Sequence, residues 1–324
     1  TLFYGGVLLA MSLNRFLLAA LSASLPHTIE PDEYMVANAV VPTGGPAGAL
    51  VGVGVGTGLR LVLGQWMPDY QANAVLFGVV AVGFVLSVSL ALRIPRHQLG
   101  PDVSEPTRAG DVVRRLAEAL DHLRARPAAG LGLLTIGAHR IVYGIVTVAM
   151  ILVYRNYFHP VTEVDAAIAD LGLLVVCTGA GFVFAAVIGP PLSARFGIRR
   201  LMVGCLVGSA VFQVLPGAIY TKPTLLVAAF LLGLTAQVVK ICVDTLVQAH
   251  VDDEVKGRVF VLYDMVFNVA LVLAAAVGAF LLPVDGKSVP TLVVLAGVYL
   301  LTGVAFGVVS RGLSLDRGTE SLRR

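Results

Sequence analysis

Long apolar stretches alternate with short polar segments along most of the chain. A helix needs about 20 mostly apolar residues to cross a hydrocarbon layer of about 30 Å. Nine stretches approach or exceed that length, and we predict a transmembrane helix in each of them: 3–25, 36–60, 70–93, 129–153, 165–192, 199–219, 224–249, 258–282 and 289–310.

The predicted helices are unevenly distributed. Three precede the longest polar segment, 94–128, and six follow it. The chain also opens at Thr1, at the edge of the first apolar stretch. This three-plus-six order is what a six-plus-six protein would show if its first three helices were lost or not shown. We therefore expect twelve helices, with three further N-terminal helices supplied by the full-length chain.

The composition indicates a membrane-embedded class. Hydrophobic residues are 57% of the chain, charged residues are 13%, and the mean hydropathy is +0.87. Soluble domains carry about 25% charged residues, and a soluble core could not enclose so many apolar helices. The predicted fold class is an all-α polytopic membrane protein in contact with the lipid bilayer.

Sequence patterns of soluble enzymes are missing. No phosphate-binding GxxxxGK loop, GxSxG elbow or HExxH pair occurs,. The six histidines have no metal-ligand spacing, and Cys177, Cys205 and Cys242 form no CxxC pair, so the cysteines are expected to pack as small apolar residues,. We predict no enzyme activity, no metal, no cofactor and no nucleic-acid partner.

Basic residues are concentrated on alternate loops. With 94–128 placed in the cytoplasm, one side of the membrane carries sixteen of them and the other side four. The larger set is Arg93, Arg96, Arg108, Arg114, Arg115, Arg124, Arg126, Arg195, Arg199, Arg200, Lys256, Arg258, Arg311, Arg317, Arg323 and Arg324. The smaller set is Arg60, Arg155, Lys222 and Lys287. Because cytoplasmic loops carry excess Lys and Arg, we predict a multi-pass plasma (inner) membrane protein with a cytoplasmic C-terminus.

The segment 94–128 separates two helical regions and contains a predicted amphipathic helix at about 108–126,. Its apolar face is Val112, Val113, Leu116, Leu120 and Leu123. This helix either lies on the inner membrane surface and tethers the two halves, or only connects them. The predicted domains are the remainder of an N-terminal bundle (1–93), a cytoplasmic linker (94–128), a C-terminal six-helix bundle (129–311) and a cytoplasmic tail (312–324).

Two rows of small residues predict where helices approach closely. The first row is Gly44, Gly48, Gly52 and Gly56, and the second is Cys177, Gly181, Ala185 and Gly189. Helices in lipid associate through close packing at such rows. We predict that 36–60 and 165–192 pack directly along them, either as a fixed contact or as a sliding one.

The turn between the fifth and sixth predicted helices has the most specific pattern, Pro-Pro-Leu-Ser-Ala-Arg-Phe-Gly-Ile-Arg-Arg over 190–200. It resembles the second copy of the loop signature of the major facilitator superfamily. Arg195, Gly197 and Arg199 match that signature, whereas Pro190 and Ala194 replace its usual Gly and Asp.

Two further segments carry the same resemblance. Residues 252–264, with Gly257 and Arg258, resemble the turn between helices ten and eleven of that superfamily, and Asn14-Arg15-Phe16 resembles its fourth-helix arginine signature. The chain then corresponds to helices four to twelve of twelve. The resemblance implies two six-helix bundles, a central cavity, alternating access, and a gating role for the two loop segments: Arg195, Gly197, Arg199, Gly257 and Arg258.

Polar and ionisable residues inside predicted helices are the candidates for a substrate or ion cavity, because a charge at mid-bilayer costs at least about 2–3 kcal/mol. Arg15 and Arg140 should point into one cavity at similar depth. Lys240 and Asp244 either neutralise each other or join a network with Asp264. The candidates are Arg15, His139, Arg140, Tyr143, Lys240, Asp244, Asp264 and Asn268.

Two functions fit these observations. The first, which the resemblance implies, is a proton-coupled secondary active transporter that exports a small amphipathic or anionic solute. Buried cations outnumber buried acids in the predicted helices, so the cavity either binds an anion or is balanced by an acid on the absent helices. The second is a non-transporting scaffold or sensor subunit of a membrane complex, which the loss of the acid at Ala194 favours. A membrane-embedded transferase would need acids or histidines clustered at one membrane face, and here they are dispersed.

Overall fold

The structure is a computed structural model that describes residues 6, 9, 12–14, 16–18, 20–21, 24–25, 28–30, 33–94, 111–160 and 162–316. Eleven of the 23 residues of the predicted helix at 3–25 lie outside this set, and the candidate Arg15 is one of them. The part of the domain 312–324 that follows Asp316 also lies outside it.

Eight α-helices make up most of the described chain. They are α1 (Tyr34–Leu63), α2 (Asp69–Ala91), α3 (Val112–Ala125), α4 (Pro127–Leu152), α5 (Val164–Val214), α6 (Lys222–His250), α7 (Asp253–Leu281) and α8 (Val289–Val309). A π-helical turn (Val153–Tyr157) extends α4, and single 3-10 turns lie at Gly217–Ile219 and Ser310–Gly312. The all-α prediction is confirmed, as expected where lipid leaves backbone groups only internal hydrogen-bond partners.

Six helices of the described chain are long and apolar enough to cross a membrane: Tyr70–Ala91, Pro127–Tyr157, Ala166–Ile219, Lys222–His250, Asp253–Leu281 and Val289–Gly312. The third of these has 54 residues, which at 1.5 Å per residue is about 80 Å and enough for two crossings,. Its backbone turns at Gly197, where φ is 77° and ψ is 157°. The predicted helices 165–192 and 199–219 are therefore the two arms of α5, and 36–60 lies within α1.

The small-residue row on α5 packs against α6. A Cβ atom on Gly181 would overlap the Phe230 carbonyl oxygen, and one on Gly233 would lie 2.5 Å from the Thr178 carbonyl oxygen. Gly189 faces Ile241 across the same interface. These glycines let the two backbones touch.

The row on α1 does not make the predicted contact. A Cβ atom at Gly44, Gly48, Gly52 or Gly56 would meet nothing within 4 Å in the described part of the chain. The helices α1 and α5 are neighbours as predicted, but their pairing along the two rows is wrong. The α5 row already serves the contact with α6. Ala49 and Val53 of α1 line a cavity that also borders α5.

The linker helix α3 is docked on the C-terminal helices. Ala119 and Leu123 are buried in the same apolar cluster as Val251 and Val259. Arg126 donates to both carboxylate oxygens of Asp252 at 2.7 Å, and this contact holds the pKa of Asp252 below its ordinary value. The buried face of this helix therefore packs on protein. Its position at the inner membrane surface stays a prediction.

Ionic contacts mark the two ends of the bundle. At the basic end, defined by Arg126, Arg199 and Arg258, Arg258 donates to Glu118 at 3.0 Å. At the distal end, defined by Asp170, Lys222 and Lys287, the side chains of Asp170 and Lys222 form an ion pair. His159 lies 2.7 Å from the same Asp170 carboxylate oxygen, which ties the end of α4 to the starts of α5 and α6.

Replacing Gly181 by Ala is expected to lower the thermal stability of the detergent-solubilised protein. The new methyl group has a backbone carbonyl in its way, and overpacking of this kind costs about 1–3 kcal/mol. Gly172→Ala on the same helix is the matched control, because its Cβ would meet nothing within 4 Å in the described residues. Equal melting temperatures for the two variants would contradict the α5–α6 contact.

Candidate functional site

A buried cation lies on α4 among aromatic rings. The Arg140 guanidinium carbon is 4.1 Å from the centroid of the Phe267 ring and 5.4 Å from that of Tyr143. Arg140 is only 9% exposed, and its Nε atom has no hydrogen-bond partner among the described residues. Cation–π contacts are worth most where the cation is removed from water, as here.

His139 adds to the same aromatic group. Its ring stacks on Tyr143, with centroids 5.9 Å apart, and tilts against Tyr299 at 5.3 Å. The side chain is 1% exposed, and neither ring nitrogen has a hydrogen-bond partner in the described part of the chain. Three of the candidates, His139, Arg140 and Tyr143, are thus brought together by one helix.

The predicted ion pair on α6 is confirmed. Lys240 Nζ lies 2.5 Å from Asp244 Oδ2, and Asp244 is buried. One helical turn separates the two residues, so the backbone of α6 alone brings their side chains together. The pair offsets the charge of the buried carboxylate with that of a partly exposed ammonium group.

The neighbour of this pair on α7 is Tyr263, whose ring centroid is 5.9 Å from Lys240 Nζ. Asp264 is the next residue along α7, and its carbonyl oxygen accepts a hydrogen bond from Asn268 Nδ2 at 2.7 Å. The network of the pair with Asp264 stays a prediction.

A cavity of about 690 Å³ opens between α1 and the C-terminal helices. Its wall includes Ala49 and Val53 from α1, Tyr143 from α4 and Gly179 from α5, with Leu232 from α6. The α4 wall runs from Tyr143 to Ile151, so the cavity extends from the middle of the bundle toward the distal end. Drug-sized ligands occupy pockets of about 300–1,000 Å³.

Arg140 does not line this cavity, whereas its neighbour Tyr143 does. Tyr143 therefore borders the cavity and also has its ring centroid 5.4 Å from the Arg140 guanidinium carbon. The predicted meeting of Arg140 with Arg15 in one cavity involves a residue outside the described set and stays a prediction.

The basic end of the cavity is closed by a polar contact that the sequence analysis missed. Asn38 Nδ2 donates to Gln248 Oε1 at 2.5 Å and to Thr245 Oγ1 at 3.4 Å. All three side chains are at most 3% exposed. They join α1 to α6 across 210 sequence positions. The available signal was the pair Thr245 and Gln248, polar residues three apart near the C-terminal end of a transmembrane helix.

The predicted gating residues lie at the basic end. Gly197 makes the turn in α5, and Arg195 places its guanidinium carbon 5.3 Å from the Phe196 ring centroid. Arg199 Nη2 donates to the Arg311 carbonyl oxygen at 3.4 Å. On the first turns of α7, Gly257 is exposed beside the half-buried Arg258. Their role in gating stays a prediction.

A carboxylate from elsewhere in the chain lies at the loop in which Ala194 replaces the usual Asp of the signature. Asp316 Oδ1 accepts the backbone N–H of Ile198 at 3.0 Å, at the start of the second arm of α5. A carboxylate at a helix N-terminus satisfies a free N–H and interacts favourably with the helix dipole. The beginning of the predicted tail is therefore fastened to this turn, with Leu315 buried beside it.

The residues described form no group of three or more His, Cys, Asp or Glu side chains that could hold a metal ion. What they do form is a membrane-spanning bundle with an internal ion pair, an aromatic-covered arginine and a cavity between two chain segments. These are features of a polytopic membrane transporter.

Comparison with known proteins agrees with that class. The family model described as Major Facilitator Superfamily matches residues 132–321. Two relatives are uncharacterized MFS-type transporters, one from Mycobacterium bovis and one from Mycobacterium tuberculosis. Each is 31% identical over 310 residues, covering 94% of this chain and 69% of the relative. The chain belongs to the major facilitator superfamily and is a multi-pass membrane transporter, and the resemblance seen in its loop motifs is confirmed.

Lys240→Ala is expected to destabilise the protein more than the double variant Lys240→Ala/Asp244→Ala. The single change strands a buried carboxylate, which costs about 3–5 kcal/mol, whereas the double change removes both charges. Thermal unfolding of the purified single and double variants measures the difference. Strictly additive effects of the two substitutions would show that the pair contributes no coupling energy.

Proposed function

We propose that this protein is a proton-coupled secondary active transporter that exports a small amphipathic or anionic solute by alternating access. The observation that carries this proposal is the asymmetry of the α1–α6 interface. It is closed at the basic end by Asn38, Thr245 and Gln248, and a cavity lies between the same chain segments toward the distal end. One closed end and one cavity are what a transporter needs in one half of its cycle.

The charge distribution supports an assignment of sides. The excess of basic residues supports an orientation with the basic end and the C-terminus in the cytoplasm and the distal end outside, in the plasma (inner) membrane. The cavity then faces outward, which is the state from which an exporter releases its solute. Reversal of the cycle requires the Asn38–Gln248 contact to open.

Proton coupling is proposed on the basis of Asp244. It is an acid buried in the bundle interior and paired only one turn away with Lys240. Protonation of Asp244 would remove its charge from the pair and change the electrostatic field at Arg140. Acidic residues inside membrane-spanning segments rarely face lipid, and they commonly belong to proton pathways.

Asn38→Ala should shift the protein toward a state that is open at the basic end. Losing a buried hydrogen bond costs about 1–2 kcal/mol, which is roughly a five- to thirtyfold change in population. Two pairs of spin labels measure the opening of each end after the three native cysteines are replaced by serine. One pair, at Val36 and Glu254, reports the basic end, and the other, at Trp66 and Val284, reports the distal end. The first distance should lengthen as the second shortens.

Ser87→Ala is the matched control for that variant. Ser87 bonds the Gly83 carbonyl oxygen of its own helix and does not bridge α1 to α6, so its removal should leave both distance distributions unchanged. If each spin-label pair gave one distance that was the same in the native chain, Asn38→Ala and Ser87→Ala, alternating access would be contradicted. That result would favour the scaffold or sensor alternative.

Lowering the pH should change the populations of the two end-to-end distances in the native chain but not in Asp244→Asn. The amide has the shape of the protonated acid and cannot titrate, so the variant should hold one pH-independent distribution. The same spin-label pairs measured over a pH series test this. An undiminished pH response in Asp244→Asn would exclude Asp244 as the coupling acid.

A further inference from the structure

We propose that the cavity between α1 and the C-terminal helices takes an uncharged, largely apolar solute and discriminates against anions. This rests on the proposed transport function and narrows its substrate class, since that function alone admits an amphipathic or an anionic solute. The inference depends on the side chains that form the cavity wall and on the position of the nearest charges.

The wall offers almost no polar atoms. Its side chains are aliphatic or aromatic apart from Tyr143, Thr147 and Thr178. Both threonine hydroxyls are engaged by their own helices, since Thr147 Oγ1 donates to the Tyr143 carbonyl oxygen at 2.8 Å and Thr178 Oγ1 to the Leu174 carbonyl oxygen at 2.9 Å. The Tyr143 hydroxyl is the polar group left to orient a solute.

The charges near the cavity are already balanced or covered. Arg140 does not belong to the wall, and its guanidinium lies over the Phe267 ring and near the Tyr143 ring. Lys240 is paired with Asp244, and neither residue belongs to the wall. No ionisable side chain other than Tyr143 lines the cavity among the described residues.

A charged solute would therefore lose its water without gaining a partner. Burying an ion without a compensating charge or hydrogen bonds is strongly unfavourable, whereas apolar surface gains free energy in proportion to the area removed from water. A cavity of about 690 Å³ has room for a drug-sized molecule,. Its shape and chemistry favour a neutral apolar solute with one hydrogen-bonding group.

Two fluorescent probes that differ by one charge test the proposal. Phenylnaphthylamine is neutral, anilinonaphthalene sulfonate carries an added sulfonate, and both brighten in an apolar site. Titrated into the purified full-length chain in lipid nanodiscs, with empty nanodiscs subtracted, the neutral probe should bind saturably and at least tenfold more tightly than the sulfonate. Equal or tighter binding of the sulfonate would overturn the proposal.

Cavity-filling variants locate the binding. Gly179→Leu places a side chain into the cavity, and a Cβ at this position meets nothing within 4 Å in the described residues. Affinity for the neutral probe should fall at least tenfold. Gly204→Leu, on the outer surface of the other arm of α5 and equally unobstructed, should change nothing. Undiminished binding in folded Gly179→Leu would overturn the site.

Gly172→Leu is a second filling variant, two helical turns from Gly179 on the same wall, and serves if Gly179→Leu does not fold. Transport of the neutral probe in proteoliposomes separates the two proposals. Site-dependent binding without transport would support the cavity chemistry and count against the transporter. Transport of the sulfonate, with no binding of the neutral probe, would support the transporter and overturn the cavity chemistry.

Discussion

A reciprocal pair of glycines brings the backbones of α5 and α6 into close contact. Gly181 lies against the Phe230 carbonyl, and Gly233 lies against that of Thr178. Lipid supplies no hydrophobic drive between helices, so van der Waals packing at short distance must hold them together. This contact sets the spacing of the two helices, and that spacing places the cavity-facing side of α5, at Thr178 and Gly179, beside Leu232 of α6. Both the cavity and the α6 surface that meets α1 depend on it.

Local constraints explain what could be predicted from the sequence. The transmembrane helices follow from hydropathy because chain length and internal hydrogen bonding are properties of each segment alone. The Lys240–Asp244 pair follows from one helical turn of spacing. The turn at Gly197 could be predicted because the residue lies in a short loop and few residues other than glycine adopt a positive φ,. None of these depends on which helix lies next to which.

Partner choice could not be predicted in the same way. The row through Gly181 indicated a close approach but not its partner, and α6 takes the place that α1 was expected to have. The Asn38–Gln248 bond joins residues 210 positions apart, so no local spacing indicates it. For Arg140 the sequence placed a cation inside the membrane, but the covering ring of Phe267 comes from α7 and is a result of tertiary packing. Asp316 likewise reaches Ile198 across 118 positions.

Tyr143 connects the two parts of the site. Its ring stacks on His139, contacts the Arg140 guanidinium and also forms part of the cavity wall. Coupling between separate sites travels through side chains in direct contact, and Tyr143 provides such a contact between the solute and the buried charges. A neutral solute cannot neutralise Arg140, so its influence on the Lys240–Asp244 pair must be steric. A bound solute would fix the position of the Tyr143 ring. Because that ring lies beside the Arg140 guanidinium, its position changes the polarity around Arg140. In the proposed mechanism, coupling of this kind would separate solute choice, which we assign to the apolar wall, from energy coupling, which we assign to the ion pair on α6.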